Sequence, residues 1–445
     1  MDWNLNDIIN ATGGKCESND FTINQFCIDS RKVKKGDCFI ALKTDNADGH
    51  DYIKSAVEAG ASAVIVSKDC NATIPQIIVD DTMIALTNIG IYARNKLTGK
   101  VIGITGSVGK TSTKDTLSNA LSIYGKTYAT LGNLNNHLGV PLTLAHAPID
   151  ADYIIVEMGM SALGEINDLT NIAKPDIAMV ISVESNHLEF FDSINQIGQA
   201  KAEIFNGLNE NGIAIYNNST NCTNILKSNI KTNNIITYGE DDIKQINYNN
   251  DLQETKLNIQ GTELNVEISG LGKHRILNTL AVLNVLNALK LDINKSLPAI
   301  KDTNPTAGRG LAEVVGGINL FDESYNASPA SMKSALEVLG LTKTSGRKIA
   351  IIGDMLELGK DSAQLHKGLL NAITDNKIEL VFACGENMKH LYDTLPNEIK
   401  GDWKENSSML SPQVIKSLQQ NDTVMVKGSL GSNMKQIIND IKKQD

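Results

Sequence analysis

The segment Gly103-Ile104-Thr105-Gly106-Ser107-Val108-Gly109-Lys110-Thr111-Ser112 holds the residue types needed to grip a phosphate. It leaves a run of strand character at 101–105 and enters a helical stretch, the context such a loop requires. Gly106 and Gly109 would let backbone N–H groups, including those of Ser107, Val108 and Ser112, converge on phosphate oxygens. The helix N-terminus adds its dipole, Lys110 can reach terminal phosphates, and the Thr111 hydroxyl can hold Mg²⁺. A glycine turn ahead of an ordinary helix is the competing reading, and Gly-Lys-Thr-Ser in this context favours the phosphate loop. Ile104 stands where the full Walker pattern wants Gly or Ala. The loop is therefore the shorter Thr-Gly-x-x-Gly-Lys-Thr form, which fits poorly with common ATPases, GTPases and mechanical NTPases.

Three further residues could join that chemistry. Tyr153-Ile154-Ile155-Val156-Glu157 reads as a buried strand ending in a carboxylate, a hard oxygen ligand for Mg²⁺ at the carboxyl edge of a sheet. Taken alone, Glu157 reads equally well as a solvent-facing strand end. His187 follows the apolar run 177–183, where ligand groups collect, although a lone histidine there can be a simple loop residue. Lys201 comes 14 positions later on a helical stretch anchored by Ile197, Ile204 and Phe205. An isolated lysine on a helix is usually solvated, so its type alone gives it no role.

The elements that must position these groups come from a chain of 445 residues, at ~150 residues per domain enough for about three domains. Hydrophobic residues at 41% and charged ones at 21% are globular values, which excludes disorder and low-complexity architectures. No apolar run approaches the ~18 residues that span a bilayer, and Met1-Asp2-Trp3-Asn4 lacks a basic signal-like start, so the expectation is a cytoplasmic protein. Six cysteines without a Cys-x-x-Cys pair read as reduced thiols rather than a disulfide frame or zinc site. A net charge of −10 argues against nonspecific nucleic-acid binding, and anionic substrates would need cations placed locally.

Short β-rich runs alternate with amphipathic helical stretches, which predicts an α/β protein with mostly parallel sheets. A small first block has strands at 38–42, 63–66 and 77–79. A second begins with a helix at 84–97, contains strands at 101–105, 153–156 and 177–183, and closes with a helix at 276–289. Its stretch 219–262, rich in Asn, Thr, Lys and Asp, reads as either irregular β structure or an insertion. A third block has strands at 318–321, 349–352, 380–383 and 424–426, separated by helices, as in a doubly wound sheet of the dinucleotide-binding kind.

Taken together, these residues resemble the Mur ligase family, the ATP-dependent amide-forming enzymes of bacterial peptidoglycan assembly. The short loop with Ile104, the strand-end Glu157, and His187 with Lys201 match family landmarks in order. More specific matches are Gly132-Asn133-Leu134-Asn135-Asn136-His137-Leu138-Gly139-Val140-Pro141-Leu142, Asp322-Glu323-Ser324-Tyr325-Asn326-Ala327-Ser328-Pro329 and Gly353-Asp354-Met355-Leu356-Glu357-Leu358-Gly359. Asp29-Ser30-Arg31 and Gly36-Asp37-Cys38-Phe39-Ile40-Ala41-Leu42 fit as well, so the resemblance covers nearly the whole chain.

The resemblance implies a small α/β N-terminal domain (1–82) for a UDP-sugar end, a central P-loop mononucleotide-binding domain (83–305) for ATP, and a C-terminal Rossmann-like domain (306–445). The implied partners are UDP-N-acetylmuramoyl-tripeptide and D-alanyl-D-alanine, the cofactors ATP and two Mg²⁺ ions, and the default state a monomer. It further implies that Lys201 is carbamylated and shares a metal with His187, while Thr111 and Glu157 serve the other ion. Asn278 matches an adenine-side asparagine, Arg309 an arginine reaching the phosphates, and Asp322 a group near ribose or phosphates. Ser30 and Arg31 correspond to the uracil-nucleotide side, and Asn135 and Asn136 to the muramoyl–peptide channel. Leu430 departs from the pattern, which commonly has Arg there, and Ser112 stands in a Thr-Thr-Thr position. A folylpolyglutamate synthase-like ligase shares the short loop, but Tyr325-Asn326-Ala327 and Ser30-Arg31 speak against it. A catalytically silent scaffold would be expected to lack some of Lys110, Glu157, His187 and Lys201.

Overall fold

Short, almost wholly apolar runs form the buried strands of three sheets in the computed structural model, which describes residues 3–18, 20–185, 189–249, 251–303 and 308–444. The first sheet takes Phe26–Cys27, Cys38–Ile40, Ala63–Val66 and Gln76–Ile78 in sequence order, all parallel. Every residue of Cys38–Ile40 and Ala63–Val66 is buried, as expected where both faces are covered.

The Thr82–Lys96 helix starts where the Asp81 carboxylate accepts from the Met83 and Ile84 amides. Its buried face, Ala85, Leu86, Ile89 and Ala93, belongs to one continuous core with Trp3, Phe26, Ile40 and Ile65 on one side and Val101 and Val156 on the other. Trp3 Nε1 also donates to the Ala145 carbonyl at 3.0 Å. The N-terminal lobe thus shares its core with the central one.

The central sheet has six parallel strands in the order Ile235–Tyr238, Ile213–Asn217, Ile177–Val180, Lys100–Thr105, Tyr153–Glu157 and Thr127–Ala129. Register sets Ile104 beside Glu157 and Thr105 beside Val180. The carboxyl ends of the three middle strands therefore open on one edge, where α/β sheets bind ligands.

Part of the stretch left open between irregular β structure and insertion forms an ordered antiparallel sheet of Ile243–Asn249, Leu252–Ile259 and Thr262–Ser269. Leu257 and Ile259 pack in the core that holds the Lys273–Ala288 helix, while polar residues keep the outer face.

The C-terminal sheet runs Leu311–Val315, Ile318–Glu323, Thr423–Lys427, Lys348–Gly353, Leu380–Cys384 and Lys400–Lys404. Its first pair is antiparallel and the others parallel, with an apolar core on each face. The four inner strands are those expected from sequence; of the two unexpected edge strands, Lys400–Lys404 is largely polar and Leu311–Val315 is interrupted by Glu313. All six cysteines are unpaired. Among the described residues no helix is long and apolar enough to cross a membrane.

Candidate active site

The phosphate loop turns at Gly109, whose φ of 84° lies in the left-handed region. A Cβ there would sit 2.8 Å from Asn278 Oδ1, so Asn278 packs directly against the loop. The Lys110–Leu121 helix begins without a side-chain cap, leaving its first amides aimed at the open edge of the sheet. The near half of the loop is pinned from below. The Ser107 amide donates to the Ser182 carbonyl at 3.0 Å and the Val108 amide to Ser182 Oγ at 2.9 Å. Two of the amides that sequence offers to a phosphate are thus engaged with the chain that follows Ile177–Val180, and an anion would draw on the helix's own first turn. Lys110 Nζ folds back over the loop and donates to the Gly106 carbonyl at 2.7 Å.

Glu157 is almost fully buried, at 1% exposure. Its Oε2 accepts from Thr111 Oγ1 at 3.1 Å and its Oε1 from Asn135 Nδ2 at 2.8 Å. Its amide donates to Thr130 Oγ1 at 3.0 Å, and Thr130 is fixed in turn by buried Lys114, whose Nζ donates to the Thr130 carbonyl at 2.8 Å. Burial lowers the Lys110 pKa; the Glu157 charge opposes that shift and the Arg309 charge adds to it. Arg309 therefore acts on the loop from the C-terminal side, with its guanidinium 4.2 Å over the Tyr325 ring.

Lys201 lies near the end of the Ile194–Ala202 helix, which Ser193 caps by accepting from the Gln196 amide. The side chain is buried, and burial together with the Lys110 charge holds its pKa well below the ordinary lysine value. It is a sequestered amine biased toward the neutral form. His187 lies outside the described residues. The cleft thus combines an anion cradle, a hydroxyl–carboxylate pair of hard oxygens, cations from two lobes and a buried lysine amine. That set suits phosphoryl transfer from a nucleotide held with a divalent ion.

The chain matches the Mur ligase family catalytic domain over residues 22–101, the Mur ligase middle domain over 104–286 and the Mur ligase glutamate ligase domain over 311–430. A Rickettsia prowazekii protein named UDP-N-acetylmuramoyl-tripeptide–D-alanyl-D-alanine ligase is 38% identical over 448 residues, covering 98% of this chain and 99% of its own. The chain belongs to the Mur ligase family. Among solved structures, MurF from Acinetobacter baumannii is similar to this Mur ligase with a TM-score of 0.91 at 27% identity, over 100% of this chain and 99% of that one. MurF from Thermotoga maritima in complex with ADP is similar with a TM-score of 0.82 at 26% identity, over 95% and 97% of the two chains. The α/β architecture of three successive Mur ligase domains is the one the sequence resemblance implied.

In this Mur ligase the remaining sequence candidates are dispersed. Asp322 is buried at the C-terminal sheet, accepting from the Ser324 amide and hydroxyl at 3.0 and 2.6 Å and facing Lys435 at 3.5 Å. Asn136 Oδ1 accepts from the Leu138 and Gly139 amides and so holds the turn into the Gly139–His146 helix. Ser30 and Arg31 occupy the short Ser30–Lys32 turn of the N-terminal lobe. Arg31 is 86% exposed and paired with Asp29 by two contacts of 2.8 and 2.9 Å, apart from the loop. Leu430, 72% exposed, stands beyond Thr423–Lys427. Sequence reasoning gave no role to Ser182, Lys114 or Tyr325. Tyr325 sits inside a quoted motif and could have been found there, whereas Ser182 and Lys114 are distinguished only by their neighbours in space.

Proposed function

We propose that this Mur ligase joins the carboxylate of UDP-N-acetylmuramoyl-tripeptide to the amine of D-alanyl-D-alanine through an acyl phosphate, with ATP going to ADP and phosphate. The setting is cytoplasmic synthesis of peptidoglycan precursors. The observation that carries the chemistry is the meeting of Lys110, Thr111 and Glu157 at the carboxyl edge of the central sheet, with Arg309 reaching in from the C-terminal side. The choice of substrates is supported by end-to-end similarity to a ligase named for them. In this reading residues 1–82 hold the UDP end, 83–305 hold ATP and 306–445 close over the cleft.

A carboxylate is a poor acyl donor because its leaving group would be oxide. Accepting the γ-phosphoryl group makes an acyl phosphate with a good leaving group. The dipeptide amine then attacks, and the tetrahedral intermediate collapses with loss of phosphate. Bringing a carboxylate to a triphosphate is electrostatically costly, so the site's cations matter most in this step. Lys110 would exchange the Gly106 carbonyl for phosphate oxygens, and Arg309 would meet the same charge from the other side. Asn278, against Gly109, would face the base, and Asp322 the ribose or phosphates.

Thr111 Oγ1 and Glu157 Oε2 offer two hard oxygens beside the phosphate loop, a donor set that fits magnesium. Bound there, the ion would neutralise phosphate charge. Lys201 has the features a carbamate-forming lysine needs, being buried, biased toward the neutral amine and close enough to feel Lys110. Addition of its neutral nitrogen to CO₂, with loss of one N–H proton, would turn the amine into an anionic oxygen ligand for a second ion, shared with His187. Closure of the C-terminal lobe would keep water from the acyl phosphate.

The test is ADP release with the muramoyl tripeptide and D-alanyl-D-alanine supplied separately and together. Sustained release only with both supports the reading; equal release without the dipeptide, or preference for a different amine, overturns it.

A further inference from the structure

Glu157 has two carboxylate oxygens, and the proposed metal reading gives work to only one of them. Oε2 accepts from Thr111 Oγ1, the other hard oxygen of the pair. A cation held by both oxygens competes with that hydrogen bond, because each would turn a lone pair toward the ion. The bond to Oε1 faces no such competition. It comes from Asn135 Nδ2 at 2.8 Å, and its direction is decided by chemistry, since an ionised carboxylate only accepts and the amide must therefore present its nitrogen.

Asn135 is itself held firmly. Its carbonyl accepts from the Gly159 amide at 2.7 Å, and its own amide donates to the Asn133 carbonyl at 2.8 Å. The side chain lies so close to Gly159 that a Cβ there would come within 3.0 Å of Asn135 Oδ1. The segment after Thr127–Ala129 is thereby folded over the carboxyl end of Tyr153–Glu157, two residues beyond Glu157. At Gly139, where the same loop enters its helix, a Cβ would sit 2.1 Å from the Leu134 carbonyl carbon. The turn that delivers Asn135 is closed too tightly for a side chain at that position.

We infer that Asn135 is a positioning residue for the metal–nucleotide centre: its amide fixes Glu157 Oε1 so that Oε2 stays presented beside Thr111 when an ion binds. The inference rests on the proposed reading of Thr111 and Glu157 as ion-binding oxygens, and it departs from the expectation that Asn135 serves chiefly to line the peptide channel. Groups that orient a ligating carboxylate commonly change metal affinity 10–100-fold when removed.

The test measures equilibrium binding of Mn²⁺ in the presence of ADP, by electron paramagnetic resonance, for wild type, Asn135→Leu, Asn135→Ala and Glu157→Gln. Asn135→Leu keeps the volume and loses the N–H, and Asn135→Ala serves if the branched side chain upsets folding. The expected result is roughly 10-fold or greater weakening of Mn²⁺ binding in a folded Asn135 variant. Metal-free ADP binding and thermal midpoint should stay near wild type, which a merely structural role would not produce. Mn²⁺ affinity unchanged in folded Asn135 variants, while Glu157→Gln loses it, overturns the positioning role alone. Unchanged affinity in Glu157→Gln as well overturns the underlying site.

Discussion

In the N-terminal lobe, Asp48, His50 and Ser67 line up like a hydrolytic relay, with His50 Nδ1 2.5 Å from Asp48 Oδ1 and His50 Nε2 3.2 Å from Ser67 Oγ. At the edge of the central sheet, Lys110, Glu157 and Lys201 gather with a less familiar geometry. The relay is closed on itself. The Ser67 backbone amide donates to His50 Nε2 at 3.0 Å, so that nitrogen is the acceptor and Nδ1 carries the proton toward Asp48. Asp48 also accepts from the His50 amide, and the imidazole is 4% exposed. No lone pair is left over to take a proton from Ser67. The cleft is built differently. Lys110 donates to a loop carbonyl that a phosphate oxygen could replace, and Lys201 is buried within reach of the Lys110 charge. Residue types and distances alone would rank the first region higher; what separates them is whether the group that chemistry needs is held by a partner that a ligand could replace.

The largest test of that contrast is at Lys201. Lys201→Ala should reduce ligation on the order of 10³-fold, comparable to losing a key transition-state charge contact. Small carboxylates such as acetate should restore part of the rate; full activity in the unsupplemented variant would remove the carbamate. Next, Lys110→Ala should slow acyl-phosphate formation by roughly 10²-fold. Phosphate release at the wild-type rate would count against the loop assignment.

His274 sharpens the comparison, because it is the unsatisfied counterpart of His50. It is the second residue of the Lys273–Ala288 helix, and its Nδ1 is sealed from solvent with no partner among the described residues. Burial, with Arg275 and Lys427 charges adding to it, pushes its pKa down to about 3. Between that value and the ordinary histidine pKa the unfolded chain binds the extra proton, so native stability falls as pH drops. Relative to neutral pH the loss from this group is about 2 kcal/mol at pH 5. His274→Gln should remove that share of the acid sensitivity, as read from urea midpoints at pH 7 and pH 5. An unaltered difference between the two would mean that His274 is not buried neutral.

The same distinction explains what could be read from sequence. The phosphate loop is a local pattern in which spacing alone aligns the helix N-terminus, Lys110 and Thr111, so it was legible. Glu157 was half-legible: a strand-end acid is visible, but its burial depends on Thr130 and Asn135, which lie 27 and 22 positions before it. The inner strands of the C-terminal sheet announce themselves by apolar runs, whereas Lys400–Lys404 is a largely polar edge and Leu311–Val315 is an edge broken by Glu313, with Ala312 and Val314 left exposed. Leu252–Ile259 and the second half of Thr262–Ser269 bury alternate residues and Ile243–Asn249 buries none, so a polar composition hid all three strands. Arg31 is the opposite case: the motif suggested the uracil-nucleotide side, and what only the structure adds is its pairing with Asp29 at the surface.

The smallest expected effect belongs to the satisfied relay, and it is the one that tests the contrast from its other side. His50→Ala removes the ring that joins Asp48 to the end of Ala63–Val66 and should cost about 1–2 kcal/mol in urea unfolding, the range for losing a buried hydrogen-bonded group. Ligation by the folded fraction should remain within about twofold, because His50 Nε2, which would have to take a serine proton, already accepts from the Ser67 amide. A fluorophosphonate probe should leave Ser67 unlabelled, since attack would require Nε2 to release the Ser67 amide before it could accept the hydroxyl proton. Labelling at Ser67 that disappears in His50→Ala would show that hydrogen-bond satisfaction in the folded chain does not silence a relay of this geometry, and the criterion that favours the cleft would fail with it.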